Sequence, residues 1–80
     1  MNSINEIIIM KEREGLVEMV ELTLEKGKNL VEMNNIWRQS YDIYTKSFGE
    51  GLDLDNQDYY IFAIKRLQYQ REKVMEYLNK

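Results

Sequence analysis

Four carboxylates crowd one short stretch of this chain, KSFGEGLDLDNQD at residues 46–58, where Glu50, Asp53, Asp55 and Asp58 accompany the glycines at 49 and 51. Oxygen ligands at that density could hold a hard cation such as calcium. A calcium loop of the EF-hand kind, however, alternates its ligands, places glycine sixth and ends on glutamate. Counted from Asp53, the sixth residue is Asp58 and the twelfth is Ile64, so the pattern fails. Asp55 and Asp58 read instead as residues that start a helix, and Gly49 and Gly51 as the turn before it. No metal site is expected.

Other chemistry is limited by residue types. The chain has no cysteine and no histidine, which removes thiolate sites, the commonest metal ligand and the commonest general base. A base would have to be a carboxylate, lysine or tyrosine, and no glycine-rich phosphate loop follows a strand pattern. The glutamate-x-x-histidine element of metal-binding bundles is impossible without histidine. The reading is a non-catalytic protein without a cofactor.

Two charged stripes carry more information. Glu14, Glu18, Glu21 and Glu25 follow a four-three-four spacing, so on a helix they form one acidic ridge. Phe62, Arg66, Tyr69 and Lys73 keep the same rhythm and would form an aromatic and basic stripe. Three readings stay open. In the first, the stripes are ordinary: Phe62 and Tyr69 join the core and the charges are solvated flanks. In the second, the acidic ridge of one chain docks on the basic-aromatic stripe of another and makes a homodimer. In the third, one stripe meets a different molecule, the ridge imitating nucleic acid in a basic groove, or the aromatic and basic residues anchoring an acidic partner.

The elements that would position these stripes are three helices. Ser3…Glu6, Asn29…Glu32 and Asp55…Asp58 each pair a short polar residue with a carboxylate three positions on. Such a residue caps a helix N-terminus through its side-chain oxygen, and the acid meets the positive end of the helix dipole. Gly27 and Gly49 suit the left-handed residue that closes a helix. The spacing therefore predicts helices near 4–26, 30–48 and 56–79, in a single all-α domain of residues 1–80 built on an antiparallel hairpin of the second and third helices. In the third, Tyr60, Ile64, Leu67, Arg71, Val74 and Leu78 alternate in fours and threes, the spacing of a seam facing a partner helix. In the second, Leu30, Met33, Trp37, Tyr41, Tyr44 and Phe48 form a matching aromatic stripe. Packed together, they bury Trp37 against the middle of the third helix, with Arg71 stacking on it, pairing with Glu32 or reaching water. The first helix offers Ile4, Ile8, Leu16, Met19, Val20 and Leu22. Gly15 interrupts it at a cost of about 1 kcal/mol relative to alanine. A break there, with Ile7-Ile8-Ile9 as a short strand, stays open.

Eighty residues sit near the lower limit for a self-sufficient core, and short chains often gain burial by oligomerising. The apolar content of 44% excludes disorder, and the net charge of −3 speaks against a general nucleic-acid binder. A helix-turn-helix is a poor match too, because the helix after Gly27-Lys28-Asn29 carries only Arg38 and Lys46 as bases. The run Ile7-Ile8-Ile9-Met10 is too short to span a bilayer and no targeting signal is read at either end, so a cytoplasmic protein is expected. Acids outnumber bases through residue 58, whereas residues 59–80 hold two acids and five bases. The two parts can attract each other within one chain or between two.

From Lys28 onward, MNNIWR at Met33 to Arg38 and IKRLQ at Ile64 to Gln68 resemble the YvfG-like short proteins of Bacillus. That resemblance implies a helical hairpin that self-associates, and it implies no activity or site residues. The expected function is a small protein–protein interaction or regulatory protein acting through helix faces, as a homodimer. The alternative is a phage or mobile-element inhibitor whose acidic helix face blocks a basic site on a host protein.

Overall fold

The computed structural model describes residues 3–49 and 56–80 as three helices: α1 (Ile4–Glu25), α2 (Leu30–Phe48) and α3 (Asn56–Leu78). The expected carboxylates Glu50, Asp53 and Asp55, the turn residue Gly51 and the cap of the third helix lie outside the described residues. Ser3 caps α1, its side chain accepting from the Glu6 amide at 3.2 Å. Asn29 does the same for α2 through the Glu32 amide at 3.0 Å. Each cap satisfies a backbone donor that the first turn leaves without a helical partner. Gly27, at φ +68°, closes α1. The Lys28 amide donates to the Thr23 carbonyl and the Gly27 amide to that of Leu24, the paired bonds of a Schellman turn.

One expectation about glycine needs correction, and one open alternative is closed. Gly49 sits at φ −98°, so handedness does not require it. A Cβ there would lie 2.6 Å from the Thr45 carbonyl oxygen and 3.0 Å from the Phe62 ring, so close packing is the reason for glycine. Gly15 does not break α1, and Ile7-Ile8-Ile9 is helical rather than a strand. A Cβ on Gly15 would meet Leu67 at 3.0 Å and Trp37 at 3.3 Å. The bare backbone lets α1 approach both neighbours, and packing outweighs the small propensity penalties of glycine and β-branched residues.

The topology is up-down-up. Glu12 meets Arg66, Gly15 meets Leu67 and Glu18 meets Arg71, so α1 and α3 run parallel. Trp37 meets Gln70 and Thr45 meets Arg66, so α2 runs antiparallel to α3. Met19, Met33, Trp37, Val74 and Leu78 form the main core, flanked by Leu16, Ile36 and Leu67 among others. Trp37 is 8% exposed, as its place in the expected stripe requires. Of that stripe Leu30, Tyr41 and Phe48 stay exposed, and α2 buries Met33 and Trp37 together with Ser40 from outside it.

The larger correction concerns α3. Its Ile64–Leu67–Arg71 seam faces α1, not α2: Leu67 lies against Gly15, and Arg71 pairs with Glu18 rather than with Trp37 or Glu32. The side turned to α2 carries Phe62, Arg66, Tyr69 and Gln70. As the element shared by both neighbours, α3 is covered over a wider arc than a two-helix seam provides.

One end of the bundle is latched. The Tyr77 hydroxyl accepts from the Asn29 amide at 3.1 Å and donates to the Glu32 carboxylate at 2.8 Å. Lys28 Nζ donates to the Lys80 carbonyl at 2.8 Å. The hydrogen bond to Glu32, with a smaller contribution from burial, raises the pKa of the phenol above its ordinary value. A raised folded-state pKa contributes stability that is complete below the unfolded phenol's range and is lost as pH rises through the folded pKa.

Two measurements check this architecture. Trp37→Ala should cost roughly 3–5 kcal/mol in urea unfolding, and an unchanged midpoint would refute the packing described. Tyr77→Phe should lower Tm at about pH 8, and its deficit should shrink toward about pH 11 as the wild-type phenol ionises. A deficit independent of pH would rule out the latch.

Candidate interaction surfaces

Arg66 is the residue whose environment departs furthest from its type. It is 4% exposed although charged, and a buried charge is costly unless paired and hydrogen-bonded. All three helices contribute to it. From α2, Thr45 Oγ1 accepts from Nη1 at 3.2 Å, and the Tyr41 ring lies 3.9 Å under the guanidinium. From α1, Glu12 Oε1 accepts from Nη2 at 3.2 Å. The Phe62 ring, one turn back on α3, stands 5.3 Å away. The Nε hydrogen has no acceptor among the described residues.

The expected aromatic and basic stripe is thus largely internal. Phe62 and Arg66 are buried, and the half-buried Tyr69 packs its ring 5.5 Å from that of Tyr44, which also touches Phe62 and Phe48. Lys73 is half-buried, 3.5 Å from Glu76 and above the Tyr69 ring. These four residues do form one side of α3, and that side meets α2, with Phe62 and Tyr69 packed as the first of the three readings has them and Arg66 buried rather than a solvated flank.

The acidic ridge is exposed throughout. Glu18 Oε1 accepts from Arg71 Nη2 at 2.6 Å, while Glu14, Glu21 and Glu25 form no ion pair among the described residues. The attraction between the acidic front and the basic tail therefore operates within the chain, through Glu12–Arg66 and Glu18–Arg71. Between α1 and α3 lies an open groove of about 250 Å³, with Glu14, Glu18 and Arg71 on its rim. Among the described residues no three carboxylates are grouped as a metal site would require. Among the described residues no helix is long and apolar enough to cross a membrane.

One surface escaped the sequence reading. α1 buries Ile8, Gly15, Met19 and Thr23, and on its opposite side it exposes Met10 (49%), Val17 (55%) and Leu24 (60%). These three recur every seventh residue, so they stand in line on one face, with Arg13 and the half-buried Val20 at the intervening turns. The seven-residue period was legible in the sequence. It was hidden by the assumption that a helix in so small a domain has a single apolar face.

Against this geometry, known proteins offer no guide: no protein-family model, curated protein or solved structure matches the chain.

The Arg66 cluster predicts a specific pattern of losses. Glu12→Gln leaves the guanidinium buried without its counter-charge and should cost roughly 1–3 kcal/mol, a range discounted because Glu12 is one-third exposed. The double variant Glu12→Gln/Arg66→Met, which replaces the charge by apolar bulk, should recover most of that loss in urea unfolding. A double variant as unstable as the single one would argue against a desolvated ion pair.

Proposed function

We propose that this chain is a small non-catalytic interaction protein of the cytoplasm that acts through helix faces as a homodimer. The observation that carries the reading is the outer face of α1. Apolar side chains scattered singly over a surface need no explanation, but an aligned row does. Met10, Val17 and Leu24 make such a row on a helix whose other side is already committed to the core. An 80-residue bundle gains proportionately more from extra burial than a larger domain would. Kinship with the YvfG-like hairpin proteins belongs to the same proposal.

A second reading is supported by the ridge. Glu14, Glu21 and Glu25 are exposed and form no ion pair among the described residues, which suits an inhibitor that blocks a basic site on a host protein. Contacts of that kind weaken with salt, whereas apolar ones do not.

Light scattering after size exclusion, in low and high salt, separates the two. The homodimer reading expects twice the chain mass in both conditions. A monomer at every concentration would overturn it and leave the acidic surface as the candidate.

A further inference from the structure

The homodimer reading says that two copies meet; where and how they meet rests on that reading and goes beyond it. We infer that α1 pairs with α1 of a second copy, antiparallel, about a two-fold axis at Val17. The apolar row is the side of α1 that the bundle leaves uncovered, and its seven-residue period matches the contact line of two helices wound about each other. The basic-aromatic side of α3 is unsuited to receive a second copy, because Phe62 and Arg66 are buried against this chain's own α1 and α2.

Charge decides the orientation. Arg13 is the one base in the row, is exposed and forms no ion pair among the described residues. Parallel pairing would set Arg13 against the partner's Arg13 across an apolar contact. Antiparallel pairing about Val17 sets Arg13 opposite the partner's Glu21, and by symmetry the pair occurs twice. The same register places Met10 over the partner's Leu24 and Val17 over the partner's Val17. One edge of the contact then carries Glu14 and Glu21 of both copies, and the two arginines reach toward them from the other side of the apolar row. The other edge carries Ile9, 47% exposed, and the half-buried Leu16. With acids outnumbering bases along the charged edge, screening relieves repulsion as well as attraction, and the pair survives high salt.

The full chain has no cysteine, so single introduced cysteines report the geometry directly. On mild oxidation most Val17→Cys chains should become covalent dimers, because a residue on the axis meets its own copy within the span of about 4.4–6.8 Å that a disulfide bridges. Met10→Cys alone should stay monomeric on a non-reducing gel, its two copies being separated by about 21 Å of helix rise. Mixing Met10→Cys with Leu24→Cys should restore a covalent dimer. Met10→Cys linking to itself as readily as Val17→Cys would overturn the antiparallel pairing. If light scattering finds a dimer but Val17→Cys does not link, this interface is refuted while the homodimer reading stands. A chain monomeric at every concentration refutes both.

Discussion

The burial of one guanidinium governs how this bundle is put together. Arg66 gives up most of its water, and what it receives in return comes from both other helices: a carboxylate from α1, a hydroxyl and an aromatic face from α2. These partners converge only if α1 runs parallel to α3 and α2 runs antiparallel, each in one register. A slip of one turn in either helix would leave the charge buried and unpaired, which is far more costly than a comparable slip between apolar surfaces. The interaction adds little net stability by itself. Its effect is to penalise wrong arrangements of three amphipathic helices that could otherwise pack in several ways.

The rest of the structure is arranged around that register. Most of the apolar cluster of Met19, Met33, Trp37, Val74 and Leu78 lies between the Arg66 site, near the middle of α1 and α3, and the Tyr77 latch at one end of the bundle, so polar contacts bracket this part of the core and dispersion fills it. Gln70 extends the polar side of α3 into this region, its Nε2 donating to the Trp37 carbonyl at 2.9 Å while its Oε1 has no donor among the described residues. Gly15 supplies the clearance that brings α1 close enough for both Glu12 and Glu18 to reach α3.

Features fixed by nearest neighbours were legible in the sequence. The Ser3 and Asn29 caps, the left-handed Gly27 and the helix spans follow from the chemistry of a few adjacent residues, and the structure agrees closely. Long-range choices were harder to read. Arg66 was placed in a stripe whose charges could serve as solvated flanks, yet its satisfying partners came from elements distant in sequence, as did the carbonyl that Gln70 meets. That error turned α3 in the sequence reading, giving its α1-facing seam to α2 and leaving its α2-facing side as a spare stripe. The outer row of α1 was missed for the complementary reason, since a helix with apolar residues on two sides shows no strong preference for either.

The parallel placement of α1 and α3 also bears on how the chain reaches this state. Glu12–Arg66 and Glu18–Arg71 bridge 54 and 53 positions of sequence, whereas Thr45–Arg66 bridges 21. Closing a longer loop forfeits more chain entropy before any contact compensates for it. Of the two contacts that hold α3, the route of least entropic loss therefore makes the one with α2 first and adds the parallel contact with α1 afterwards. In the reverse direction, α1 is the segment that can leave while the other two remain paired, and its departure exposes Leu67, Arg66 and Trp37 to water in one step.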